Sequence, residues 1–346
     1  MKKWLLGCTL AELREITDNL SLPSFTAKQI ADWLYKKKVS DIAQMSNISA
    51  SAKELLSQNF EVGGFLPIKE STSCDGTKKY LFTSFAGTPV ESVLIPDDER
   101  ATLCISSQSG CKMGCRFCMT GLMGFKGNLS AGEIISQIIN IKESNLLTNV
   151  VYMGMGEPLD NLSAVLKSTE ILTSDWGFGW SPKRITVSTI GVPNALRVFL
   201  DKSRCHLAVS LHNPFDSERR EFMPVQKTWP ADEILSIIRE YDFTGQRRVS
   251  FEYIMFSGWN DTKRHADALT RMLKGLECRV NLIRFHRIPD FQYKSSPDLI
   301  MENFRDRLNK AGVVATIRAS RGEDILAACG MLSGEISNSV VNETGV

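Results

Sequence analysis

The apolar positions follow two regimes, which change over near residue 100. Up to about residue 66 the spacing is helical. Thr9 and Glu12 form a capping box ahead of Leu10, Leu13, Ile16 and Leu20. A second helix is expected from Thr26, burying Ile30, Trp33 and Leu34 and ending on Lys36-Lys37-Lys38. Those cations either simply oppose the negative end of the helix dipole or belong to an RNA-facing patch. Gly63-Gly64 and Pro67 break the pattern, and residues 68–95 read as short strands with turns at Asp75-Gly76 and Gly87-Thr88-Pro89. Beyond residue 100, strand-like runs recur at 103–107, 150–154, 185–190, 205–211, 249–256, 278–285 and 314–319. Helix-like segments lie between most of them. The clearest starts at Ser130, capped by Glu133, and carries Ile134, Ile135, Ile138 and Ile139; another holds Ile234, Leu235, Ile237 and Ile238. Repeated β-α units predict an α/β fold with a parallel sheet, doubly wound or curled into a full or partial barrel. Six or seven units fall short of the roughly eight of a closed barrel. The expected organisation is a helical unit over 1–66, a β-rich connection over 67–97, the α/β unit over 98–335 and a polar tail over 336–346.

A length of 346 residues suits two domains, or one large domain with an appendage. Apolar residues at 43% and charged residues at 23% exclude a disordered or fibrous chain. No apolar run approaches the roughly 18 residues of a membrane span. The start Met1-Lys2-Lys3-Trp4-Leu5-Leu6-Gly7-Cys8 imitates a lipoprotein signal, but its apolar stretch is far below the about 7–15 residues of an export signal, so a cytoplasmic location is expected. The net charge is +2, yet the cations are uneven. Residues 100–132 hold Arg100, Lys112, Arg116 and Lys126 with no acid; residues 181–220 hold Lys183, Arg184, Arg197, Lys202, Arg204, Arg219 and Arg220 against Asp201, Asp216 and Glu218. Such zones are either phosphate-holding or plain solvated faces.

Nine cysteines, in a chain too long to need disulfides for its core, point to metal or catalysis in a reducing compartment. Cys111-Lys-Met-Gly-Cys115-Arg-Phe-Cys118 puts three thiols within eight residues, directly after a predicted strand. Most structural iron–sulfur clusters take four cysteines. Three leave one iron open, and an open position marks a reactive site. Zinc with Cys104 as a fourth ligand is the competing reading, in which the chain would be a zinc-stabilised RNA-binding protein without catalysis.

This spacing at the end of the first strand of a β-α series resembles the radical S-adenosylmethionine (SAM) superfamily. Further segments narrow it: Thr102-Leu-Cys-Ile-Ser-Ser-Gln-Ser-Gly-Cys111 through Cys118-Met-Thr-Gly121, Met153-Gly-Met-Gly-Glu-Pro158, Val187-Ser-Thr-Ile-Gly191, Ser210-Leu-His212, Arg321-Gly-Glu-Asp-Ile-Leu-Ala-Ala-Cys-Gly330 and Lys28-Gln-Ile-Ala-Asp-Trp-Leu-Tyr35. Together they resemble the RlmN/Cfr family of rRNA adenine methyltransferases over nearly the whole chain, more closely RlmN than Cfr.

The resemblance implies a partial (β/α) radical SAM barrel preceded by an RNA-binding helical accessory domain. It implies one [4Fe-4S] cluster on Cys111, Cys115 and Cys118, two SAM molecules per turnover, and methylation of adenine C2 in 23S rRNA and of the tRNA adenosine 3′ of the anticodon; C8 is the Cfr alternative. An electron donor such as flavodoxin or ferredoxin and a monomeric state come with it. Adenine C2 is electron-poor and cannot attack a methyl group, whereas a thiolate can. By motif position Cys329 carries the methyl group, Cys104 resolves the protein–RNA adduct through a disulfide, and Glu91 accepts a proton. Gly156, Glu157, Ser188, Ser210, Leu211 and His212 map to SAM contacts, and His286 stands where the family commonly has Asn. Arg284 replaces a family proline and is expected to reach RNA or SAM. Cys8, Cys74, Cys205 and Cys278 are left as core or surface thiols.

Overall fold

The computed structural model describes residues 2–245, 247–289 and 291–333; the expected tail over 336–346 lies outside them. Ten strands form one sheet: β1 Lys69–Thr72, β2 Lys78–Thr83, β3 Pro89–Asp97, β4 Arg100–Cys104, β5 Asn149–Tyr152, β6 Ile185–Thr189, β7 His206–Ser210, β8 Val249–Met255, β9 Cys278–Arg284 and β10 Val314–Ile317. Their order across the sheet is their order in the chain. β1 to β4 pair antiparallel, and β4 to β10 pair parallel. Each parallel step needs a long crossover, and helices supply it. Among them are Ala131–Ile139, Leu162–Thr173, Pro193–Lys202, Ala231–Arg239, Lys263–Leu273 and Asp298–Lys310. The result is a partial (β/α) barrel extended at one edge by an antiparallel hairpin. All seven strand runs expected beyond residue 100 are present, shifted by at most a few residues.

One face of the barrel's strands is buried and apolar, with Val187, Leu207, Val209, Phe251, Tyr253, Val280 and Leu282 in register on it, while the other face carries the half-buried polar Ser188, Ser210 and Asn281. Both expected capping boxes form, at Thr9/Glu12 and Ser130/Glu133. In the N-terminal unit Lys3–Trp4 pairs with Phe60–Glu61, bracketing helices Leu10–Asn19, Thr26–Ala31 and Ala50–Asn59. The second helix departs from expectation. It gives way after Ala31 to a π-helical turn over Asp32–Lys36, so Trp33 is only half-buried. That wider turn aims Tyr35, whose hydroxyl donates to Cys8 O at 2.6 Å.

The lysine run that follows divides. Lys37 lies 3.7 Å over the Trp33 ring and pairs with Asp32. Lys38 instead donates to Ser144 Oγ at 2.8 Å and Asn145 Oδ1 at 2.7 Å, fastening the unit to the barrel. An RNA-facing role for Lys38 is thereby corrected. Among the described residues, no helix is long and apolar enough to cross a membrane.

Candidate active site

β4 ends at Cys104, and the next residues lead into the loop that holds Cys111, Cys115 and Cys118. Met113, Phe117, Phe222 and Phe256 are buried around these half-buried thiols. Burial pushes all three thiols up, Cys111 to about 12; Cys115 is raised further by Cys118 and Cys111 beside it. The three sulfurs therefore share one volume. Backbone N–H groups reach two of them, from Met113 to Cys111 and from Thr120 and Gly121 to Cys118, which suits thiolates. Among the described residues, no three His, Cys, Asp or Glu side chains converge on one ion. A four-iron cluster seats each thiolate on a different iron, so it asks for a common volume and not a common point. The donor set fits such a cluster with one iron open.

Cys104 and Cys329, 225 positions apart in sequence, come together beside this loop. After burial itself, the main influence raising the Cys104 thiol is Cys329, and Cys329 in turn senses Cys118. Cys104 is buried against Val93, Met155, Ala327 and Leu332, apart from the three-thiol cluster. Cys329 is open to solvent yet hemmed in by protein, as a residue on a cavity wall is. Two ties hold its loop. Met119 N–H donates to Gly330 O at 2.8 Å, and Thr120 Oγ1 donates to Leu332 O at 2.7 Å. Gly330 has φ +83°, and a Cβ there would stand 3.2 Å from Phe117 O, so the close approach needs glycine. On the far side the hairpin turn clamps the same loop: Ser73 Oγ and Cys74 N–H donate to Asp324, and Gly322 N–H donates to Asp75.

Glu91 faces inward from β3, with no exposure, on the same face as Val93, which pairs with Cys104. Its carboxylate meets the buried Lys79 ammonium at 3.0 Å and accepts the Ser333 N–H at 3.0 Å. Lys79 was not singled out from the sequence. It also donates to Leu326 O, so the ion pair lies beneath the Cys329 loop.

The expected SAM contacts gather at the strand ends, with varied surroundings. Gly156 has φ +97°, and a Cβ would fall 2.5 Å from the Gln108 Cβ. Glu157 is buried and its carboxylate accepts from Leu159 N–H, Thr189 Oγ1 and Ile190 N–H, joining the ends of β5 and β6; burial pushes it up to about 7. Ser188 and Ser210 are half-buried, and Leu211 is buried. His212 has φ +58°, packs edge-on to Phe117 at 5.1 Å and accepts the Ile254 N–H on Nδ1. Burial, then Arg219, depresses it to about 3. His286 is buried near Ser320 Oγ at 3.3 Å and Glu323 at 3.5 Å. Arg284 is not free for a ligand: it pairs with Asp298 at 2.7 Å and donates to Arg318 O.

Arg219 is a clear correction to the expected basic face. It is 1% exposed and donates to Leu211 O, Ser210 O and Gln226 Oε1. It positions the Ser210–His212 turn and cannot meet RNA. Glu252 is a further residue that the sequence did not reveal. It is buried on β8, bonded by Ser250 and Asn281, and after burial it is the main influence raising the Cys329 thiol.

Two family profiles match the chain: the ribosomal RNA large subunit methyltransferase N-terminal domain over residues 4–62, and the radical SAM superfamily over residues 105–269. A probable dual-specificity RNA methyltransferase RlmN from Parabacteroides distasonis is 56% identical over 332 residues, covering 96% of this chain and 97% of that one. The chain belongs to the RlmN family. The dual-specificity RNA methyltransferase RlmN of Marinobacter nauticus is 40% identical over 96% of this chain and 93% of its own. A crystal structure of a radical SAM methyltransferase from Sphaerobacter thermophilus superposes with a TM-score of 0.90 at 36% identity, covering 96% of this chain and all of that one. As a radical SAM enzyme of the RlmN family, the chain uses a [4Fe-4S] cluster and SAM. Replacing Cys111, Cys115 and Cys118 together with Ala is expected to remove iron and sulfide from anaerobically purified protein. A variant that kept a full complement would overturn this assignment of ligands.

Proposed function

We propose that the chain methylates C2 of a peptidyl-transferase-centre adenine in 23S rRNA, and of the adenosine 3′ of the tRNA anticodon, through a methyl-cysteine. The observation that carries this reading is the meeting of Cys104 and Cys329 beside the three-thiol loop. Cys111, Cys115 and Cys118 would hold the cluster, which when bound would supply the electron for reductive cleavage of SAM to a 5′-deoxyadenosyl radical.

The chain's own residues do the rest. Gly156, Glu157, Ser188, Ser210, Leu211, His212 and His286 line the SAM side. Cys329, as thiolate, takes the methyl group of one SAM, loses a hydrogen atom from that methyl to the 5′-deoxyadenosyl radical of a second, and adds to adenine C2 through the resulting methylene radical. The one electron left over on the adduct would return to the oxidised cluster. Glu91 accepts the C2 proton; its buried partner Lys79 holds the carboxylate ready beneath the Cys329 loop. The Cys104 thiolate then attacks the Cys329 sulfur. An S–S bond forms, the C–S bond to the base breaks with its electron pair left on the methylene carbon, and that carbon takes a proton to become the methyl group of the departing base. All nine cysteines are free thiols, and the disulfide is proposed as a product of turnover.

Residues 1–66 serve as the RNA-binding accessory domain, 67–97 as the clamp on the Cys329 loop and 98–335 as the catalytic barrel. The enzyme works as a cytoplasmic monomer, reduced by a flavodoxin or ferredoxin. Mass spectrometry of RNA methylated in vitro tests the assignment: 2-methyladenosine is expected, and 8-methyladenosine would replace this reading with Cfr-type chemistry. A zinc-containing protein that cleaves no SAM would overturn both.

A further inference from the structure

The basic zone of residues 181–220 comes apart in the fold, and part of it faces away from the cluster. Lys183 and Arg184 immediately precede β6, Arg204 precedes β7, Arg248 precedes β8, and Arg279 is the second residue of β9. All five are exposed. Parallel pairing puts the starts of these four strands at one end of the barrel, with Thr186 opposite His206, Leu207 opposite Val249 and Val249 opposite Cys278. The site residues lie at the other end, about 17 Å away for a five-residue strand. His206, at the start of β7, feels Arg248, Lys183, Arg247 and Arg279 together, so the cations form one cluster.

Two features characterise this end. Some arginines elsewhere have acids, Arg197 with Glu240, Arg220 with Asp216, Arg264 with Glu218 and Arg307 with Asp267, while among the described residues Arg14, Arg100 and Arg116 stand singly without one. Among the described residues, none of the five cations here has a carboxylate within ion-pair distance. Asp201, an acid on the same end, is instead bonded by the Tyr241 hydroxyl; Glu277 is exposed next to β9. Beneath them Arg247 is buried, with Nε and Nη2 unpartnered, adding a fixed positive charge. The surface is also continuous with the N-terminal unit. The loop leading to β6 carries Trp176 and Phe178, which pack on Tyr35, and the half-buried Trp180 beside Phe178.

We propose that this end of the barrel is a second RNA-binding surface, holding the phosphate backbone of the substrate outside the stem-loop that carries the target adenosine. Unpaired guanidinium groups suit phosphate oxygens, and aromatic faces among them suit unstacked bases. The inference rests on the RNA-methylating function proposed above. A surface on the far side of the barrel from the catalytic mouth is useful only to a long substrate, which fits a ribosomal RNA better than a hairpin.

The test compares two RNAs, a short stem-loop with the target adenosine and the same stem-loop extended by its flanking helices. Protein reconstituted with its cluster would carry Arg204→Glu, Arg248→Glu and Arg279→Glu, or the three corresponding Gln changes. For the extended RNA, the Glu variant is expected to lose about 10–100-fold in affinity, and the slope of log K against log salt should shrink by about 2–3. The Gln variant should fall between it and the unaltered protein, and it carries the test if the Glu variant fails to fold. Affinity for the short stem-loop and SAM cleavage without RNA should be unchanged. Equal losses on both RNAs, or an unchanged affinity and slope on the extended one, would overturn the second surface while leaving the methyltransferase reading intact. An unaltered protein that methylates neither RNA would overturn that reading, and this inference with it.

Discussion

Cys104→Ala is expected to leave the protein covalently joined to RNA through Cys329, and Cys329→Ala to leave no joined species at all. The two thiols are neighbours at one site. Neither replacement should disturb the fold much, since removing one sulfur deletes little volume. The asymmetry comes from order in the reaction. Without Cys329 there is no methyl carrier, so nothing attaches. Without Cys104 the carrier is loaded, activated and attached, but no thiolate stands by to open the C–S bond. Burial raises both thiols above their ordinary value, so each must lose its proton before it can attack. Anaerobic reaction with SAM, reductant and an rRNA fragment, then RNA digestion and peptide mass measurement, reads the outcome. Ordinary release of methylated base from Cys104→Ala, with no cross-link, would mean that another group resolves the adduct. Two core thiols or a structural disulfide would give no such difference.

The strands and helices were legible wherever local pattern decides them. The Ser130/Glu133 box and the apolar runs specify their elements from within a few residues. The π-helical turn at Asp32–Lys36 was not, because nothing in Thr26–Lys38 departs from helical spacing; the turn meets tertiary demands on Tyr35 and Trp33. Site residues divide in the same way. Cysteine spacing announces Cys111, Cys115 and Cys118, and the family motifs single out Cys104, Cys329 and Glu91. Lys79, Glu252 and Arg219 had no local signal. A lysine in Lys79-Tyr80-Leu81-Phe82 or an arginine in a charged helix reads as solvated until the fold brings Glu91, or the carbonyls of Ser210 and Leu211, against it. The charge count of residues 181–220 was right, but it merged a buried positioning arginine with cations at the opposite end of the barrel.

His212→Gln and Glu157→Gln are expected to tilt the pH dependence of stability in opposite directions. Burial, aided by Arg219, depresses His212 from its ordinary 6.5 to about 3. The unfolded chain therefore binds a proton there before the folded one does. The contribution is fully present above pH 6.5 and is lost as pH falls toward 3, in all about 5 kcal/mol at ~1.36 kcal/mol per unit. Burial raises Glu157 from 4.5 to about 7, so here the folded state holds the proton longer. Its contribution is fully present below pH 4.5 and is lost as pH rises through 7, about 3 kcal/mol in all. Between pH 7 and 4.5 the two nearly cancel, which keeps the site tolerant of mild acid. Denaturant melts of cluster-free protein, compared with the unaltered chain at each pH, remove the other titrating groups from the comparison. From pH 7 to 4.5, His212→Gln should gain about 3 kcal/mol relative to the unaltered chain, as that chain loses what its histidine gave. Glu157→Gln should fall behind by a similar amount. Parallel curves for either variant would mean that its group does not change protonation between the two states in this range, and the burial argument for it would fail.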